Sequence, residues 1–115
     1  MLLTIDMKKD SAFDTQVDHL AHLSKAIGHP ARIAILLFLT ESGPSTCQAV
    51  VNKLPYSQST VSGHLQKLKD EGFIKMKLHR TSSIYSVEKQ TITTLHKLVQ
   101  SVFKLGPEKK QLSLF

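Results

Sequence analysis

A chain of 115 residues with a single cysteine and a net charge of +6 is sized for one domain. It excludes an intrachain disulfide framework and favours a reducing compartment. The charge is unevenly placed: residues 1 to 56 hold five Lys/Arg against five Asp/Glu, and residues 57 to 115 hold ten against four. Such a one-sided basic excess is an electrostatic footprint for phosphates or for an anionic membrane surface. The longest apolar run, Ile33 to Leu39, is far short of the roughly 20 residues that cross a bilayer. Features of a secretory signal are missing at the amino terminus, so a cytoplasmic protein is expected.

Residues 1 to 12 mix charges without a period and read as an arm. The domain itself is expected over 13–104, with a short tail at 105–115 that carries Lys109 and Lys110. A first helix is predicted from Asp14 or Thr15, where Thr15 and Asp18 have capping-box spacing, with Val17, Leu20, Leu23 and Ile27 on its apolar face and Gly28 at its end. His29-Pro30 then opens a second helix to about Thr40, proline being tolerated at the first helical position. This helix is apolar nearly all round, from Ile33 to Leu39, which marks it as the central core helix.

Glu41-Ser42-Gly43-Pro44 breaks the chain, and Ser45 or Thr46 can cap a short third helix with Val50, Val51 and Leu54 facing inward. After a turn at Pro55-Tyr56, Ser57 caps a fourth helix whose Val61, Leu65 and Leu68 form one apolar stripe. Gly72 suits its left-handed carboxy-terminal cap. The period then changes to two, with Ile74, Met76 and Leu78 alternating with Lys75 and Lys77, which predicts a half-buried strand with a basic outer face. A polar connection, His79 to Ser83, leads to a second strand at Ile84 to Val87. A last helix runs from about Lys89 to Lys104 and stops at Gly106-Pro107. The expected fold is mainly α with a small β-hairpin (α+β), a winged helix-turn-helix in the order α-α-α-α-β-β-α.

Small hydrogen-bonding residues crowd the start of the fourth helix: Ser57, Gln58, Ser59, Thr60 and Ser62, with Gly63 next. Serine, threonine and glutamine lower intrinsic helix stability or leave it unchanged, so their concentration at one end points to contact. An α-helix fits the DNA major groove, and its positive amino end favours phosphate. Gln58 can pair with adenine, and Ser59, Thr60 and Ser62 with bases or phosphates. His64 and Lys67 suit phosphates, while Lys75, Lys77, His79 and Arg80 bring a wing to the backbone or the minor groove.

On Leu23-Ser24-Lys25-Ala26-Ile27-Gly28-His29-Pro30-Ala31-Arg32-Ile33-Ala34-Ile35-Leu36, then Ser57 to Leu65 with Leu68, and Glu71-Gly72-Phe73-Ile74, the chain resembles the ArsR family of bacterial winged-helix transcriptional repressors. The likeness covers about Leu20 to Val87 and implies a recognition-helix role for Gln58, Ser59, Thr60, Ser62 and His64. Two of the family's metal sites are incomplete in this sequence. Where third-helix sensors have a Cys-x-Cys pair there are Thr46 and Gln48 around Cys47, and the last helix offers only His96 where zinc-binding members have an Asp-x-His and a second histidine-containing pair. The wing tip has Arg80 in place of the family's usual glycine.

The expected function is a sequence-specific, dimeric DNA-binding repressor, acting on a palindromic operator in double-stranded DNA, with no catalytic residues, cofactor, metal or membrane partner, and with its effector unspecified. Dimerisation is expected through Val17, Leu20, Ile92, Leu95, Val99, Val102 and Phe103, because the last helix's stripe is too broad for one small body to bury. The competing reading is a winged-helix protein-interaction module. A redox-responsive repressor would use Cys47, whose thiol at a helix amino end can be made acidic, and a metal-responsive one would use His19 and His22, beside Asp18, with further ligands. Solvated histidines, His29 as a cap and Tyr85 as packing under the wing are the plainer expectations. An enzyme is disfavoured by the lack of a phosphate loop, paired carboxylates or a nucleophile with its base.

Overall fold

The computed structural model describes residues 11–106, with side chains from residue 14 onward. Five helices and one hairpin follow one another as α1 (Ser11–Ile27), α2 (Pro30–Ser42), α3 (Cys47–Lys53), α4 (Gln58–Asp70), β1 (Ile74–His79), β2 (Ser82–Val87) and α5 (Lys89–Val102). This is the α-α-α-α-β-β-α order that the sequence predicts. The strands pair antiparallel, Ile74 opposite Val87 and His79 opposite Ser82, leaving Arg80 and Thr81 as the two-residue tip. The backbone of Ser45 exchanges hydrogen bonds with that of Tyr85 at 2.9 and 2.8 Å, which ties the α2–α3 connection to the edge of β2.

One hydrophobic cluster holds the helices together. Ile35, Leu36 and Leu39 of α2 and Val50 of α3 meet the α4 stripe of Val61, Leu65 and Leu68, with Leu23 and Ala26 of α1, Phe73, Ile74 and Leu98 of α5 closing the core. Full burial of each such side chain contributes about 1.5–3 kcal/mol, so α4 is held mainly by its apolar face.

Local chemistry sets the helix ends. The His29 ring caps α2, its Nδ1 accepting from the Ala31 N–H at 3.2 Å, and Thr46 rather than Ser45 caps α3. α4 ends in a Schellman motif: Gly72 takes φ 82°, its N–H donates to the Lys69 carbonyl, and the Phe73 N–H donates to the Leu68 carbonyl at 2.9 Å. Phe73, now fully buried, thereby carries the chain from α4 straight into the wing.

Several expectations are corrected. α1 begins at Ser11, not at Asp14 or Thr15, so Thr15 and Asp18 lie within the helix and form no capping box. The rest of the expected arm, residues 1–10, lies outside the described residues. α2 extends to Ser42 and is not buried all round: Ile33 and Leu37 are 47% and 55% exposed, because neighbours cover only its Ala31-Ile35-Leu36-Leu39 side.

Alternation in β1 does not mean half-burial. Ile74 is buried, but Met76 and Leu78 are 37% and 67% exposed, since the two-stranded ribbon runs out beyond the helices that would cover it. β2 starts two residues earlier than predicted, at Ser82. α5 ends at Val102, short of the expected Lys104. Lys104 itself takes the left-handed conformation, φ 54°, and the Leu105 N–H reaches back to the Gln100 carbonyl at 2.9 Å.

Part of the stripe expected at a dimer interface is used within the chain. Leu20 and Leu95 pack against the core, and the Ser101 hydroxyl bonds Gln16 Oε1 at 3.1 Å between α5 and α1. Val17, Val99 and Val102 are half-buried, whereas Ile92, Phe103 and Leu105 remain exposed, Phe103 by 64%.

Candidate nucleic-acid interface

The α3–turn–α4 unit presents the amino end of α4 to solvent. Ser57 is its cap: the Thr60 N–H donates to Ser57 Oγ at 3.2 Å, and the Ser57 hydroxyl bonds Thr60 Oγ1 at 2.9 Å. Because Val61, Leu65 and Leu68 commit one face to the core, the helical period turns Ser59, Gly63 and Gln66 to the opposite side. Gln58, Ser59, Thr60, Ser62 and Gly63 are all exposed, and a Cβ built on Gly63 meets nothing within 4 Å. The surface at this end is thus polar, small and uncharged, with the free N–H groups of the first turn behind it.

Farther along α4 the side chains point to the protein. His64 is half-buried, and its Nδ1 accepts from Arg32 Nε at 3.0 Å while Arg32 Nη1 donates to the Ala26 carbonyl at 2.9 Å. The His29 ring lies 4.5 Å from it, centroid to centroid. Burial first, then the charges of His29 and Arg32, lower the His64 pKa. With Nδ1 accepting from Arg32, a neutral His64 carries its proton on Nε2 and can donate a hydrogen bond from there.

Lys67 is paired with Glu71 at 3.2 Å, and Glu71 also meets His22 Nε2 of α1 at 2.6 Å. The Glu71 carboxyl is held below its ordinary range by its hydrogen bonds to Lys67 and then to His22. Sequence reasoning missed this clamp of Arg32, His29, His22 and Glu71 on α4. Its members stand 32 and 49 residues apart, and no local pattern couples them.

The wing carries its basic residues in two places. His79 and Arg80 are exposed at the tip, and Arg80 takes φ 60°, a positive value at the first position of the two-residue turn, where type II′ turns place glycine. Lys75 and Lys77 stand opposite Ser86 and Ile84 and share one hairpin face, with Lys75 3.9 Å from Glu88. Tyr85 packs against the core on the other face, as expected.

The residues weighed for other chemistry are placed otherwise. Burial pushes the Cys47 thiol up, away from the acidic thiol that a redox-responsive reading needs. His22 is engaged by Glu71 and His19 is exposed. Among the described residues no three His, Cys, Asp or Glu side chains are grouped to hold a metal ion. No single helix among them is long and apolar enough to cross a membrane.

A short helix, a turn, an exposed polar helix and a two-stranded wing define a winged helix-turn-helix domain. A family model described as a helix-turn-helix domain matches residues 27–77. An HTH-type transcriptional regulator of Methanocaldococcus jannaschii is 32% identical over 82 residues, covering 71% of this chain and 92% of that one. Among solved structures, a homodimeric winged helix-turn-helix DNA-binding domain from Mycobacterium bovis, described as from a possible ArsR-family transcriptional regulator, is 27% identical with a TM-score of 0.61, covering 90% of this chain and 91% of that one. An ArsR-like transcriptional regulator from Rhodococcus has the same fold, at 19% identity and a TM-score of 0.61 over 85% of this chain and 90% of that one. The chain belongs to the HTH-type transcriptional regulators, and its winged-helix fold is similar to that of the ArsR-like regulators among the solved structures.

Proposed function

We propose that the protein is a dimeric repressor that inserts the amino end of α4 into the major groove of a palindromic operator and lays the wing along the adjacent backbone. The observation that carries this reading is the exposed, small and polar end of α4, with open space at Gly63 and a hydrophobic face that pins the helix to the body. Gln58 reads a base, with Ser59, Thr60 and Ser62 on bases or phosphates. His64 donates from Nε2, and Lys67, Lys75, Lys77, His79 and Arg80 supply backbone contacts.

A second subunit covers the exposed Ile92, Phe103 and Leu105 together with Val17, Val99 and Val102. The Mycobacterium bovis relative is described as a homodimer, which supports the same assembly. Twofold symmetry then sets two recognition helices roughly 34 to 36 Å apart, one turn of DNA.

The test is retardation of the promoter DNA upstream of the protein's own gene, measured across salt concentrations. Strong salt dependence is expected, with Gln58→Ala changing sequence preference and Lys75→Ala weakening all sequences alike. No retardation at low salt, from a chain that sediments as a monomer, refutes the reading and favours a protein-interaction module.

A further inference from the structure

A sizeable hollow lies away from the DNA-reading end of α4. It is a groove of about 800 Å³ between the carboxy-terminal end of α2, the Lys75-Lys77 face of the hairpin and the start of α5. That volume is within the roughly 300–1,000 Å³ typical of small-molecule sites. Leu39, Pro44, Met76, Ile84 and Val87 give it apolar walls, and Lys75, Lys77 and Lys89 bring three ammonium groups to it against the single carboxylate of Glu88. Glu88 is turned to Lys75 at 3.9 Å. Among the described residues Lys77 and Lys89 make no ion pair.

Lys89 stands where helix physics disfavours it. It is the first residue of α5, the first turn holds no acidic residue, and the amino-terminal cap, Glu88, makes no side-chain hydrogen bond to the helix. A cation at a helix amino end opposes the macrodipole, and free N–H groups there favour an anion. An apolar trough, unpaired ammonium groups and an uncapped helix start therefore converge on one ligand chemistry.

We propose that this groove binds a small amphipathic carboxylate, its apolar body against Pro44 and Ile84 and its head between Lys77, Lys89 and the start of α5, and that binding weakens the wing's hold on DNA. The regulatory half rests on the reading above, in which Lys77 faces phosphates, since a bound carboxylate would occupy that lysine. The binding half stands without it.

Decanoate is the probe, titrated calorimetrically into the full chain, with decanol as its uncharged counterpart. One decanoate per chain is expected, bound at least about fivefold more tightly than decanol. Lys89→Glu is expected to lower decanoate affinity at least about tenfold while raising thermal stability and leaving DNA affinity without decanoate unchanged. Ile84→Asp serves as a second variant on the apolar wall, its folding checked by circular dichroism.

No decanoate binding, equal binding of decanol, or unchanged affinity in both variants overturns the site. A change in sedimentation on Lys89→Glu overturns it in favour of a second copy of the chain in the groove. Saturable decanoate binding that leaves DNA retardation unaltered overturns the regulatory half alone. DNA retardation without decanoate is measured separately, so a failure of the repressor reading shows there and not in the titration.

Discussion

Gly63 is the position where stability and the proposed DNA contact oppose each other most plainly. It lies inside α4 between Val61 and Leu65, both fully buried, and is rotated about 200° from Val61 at 100° per residue. Glycine inside a helix costs about 0.8–1 kcal/mol relative to alanine, and a Cβ at this position would touch nothing within 4 Å. Gly63→Ala should therefore raise the stability of the free protein by close to the full propensity difference. For a domain near 100 residues this is a rise in Tm of about 4–8 °C.

A methyl group on the face opposite the core would hold the helix backbone off the DNA. If α4 lies in the major groove, affinity should fall at least about tenfold, or about 1.4 kcal/mol. Thermal unfolding and DNA retardation at one fixed salt concentration measure the two effects on the same preparation. A variant that gains stability and keeps its DNA affinity would refute the assignment of this face to DNA. Failure to gain stability would instead refute the view of Gly63 as an unconstrained helical position.

Arg80→Gly should relieve the left-handed strain at the wing tip, worth about 1 kcal/mol, while weakening DNA binding on all sequences alike and reducing the salt slope by about one; an unchanged slope would remove Arg80 from the phosphate contacts. Leu65→Ala, at a fully buried position of α4, should cost about 2–5 kcal/mol in urea unfolding, and a loss below 1 kcal/mol would contradict the packing described. Because the His64 pKa is lowered, the unfolded chain takes the proton first. The stability His64 contributes is thus complete above about pH 6.5, the ordinary histidine value, and is lost as pH falls through its folded pKa. The fall in urea midpoint between pH 7.5 and 5.5 should be smaller in His64→Gln, and an equal fall in both proteins would sink the account of the Arg32 contact.

Much of this protein was legible in its residues because the informative signals are local. The 3.6-residue stripe of Val61, Leu65 and Leu68, the caps at His29, Thr46 and Ser57, and the glycine at position 72 each act within a few residues of themselves, so they specify helices and their ends before any tertiary contact forms. The polar amino end of α4 and the uneven charge, for the same reason, point to DNA from sequence alone. What depends on covering surface was not legible. Alternation in β1 predicts a strand, yet only the reach of the helical body decides that Ile74 is buried and Leu78 is not, and a run of apolar residues in α2 does not say that Ile33 and Leu37 face outward.

Pairings across the fold were equally out of reach. The contacts of Arg32 with His64 and of His22 with Glu71 exist only because the core brings α1, α2 and α4 together, and they tie His64 into the body of the protein. The start of α4 is thus a sequence-determined surface, and its anchoring is a tertiary one.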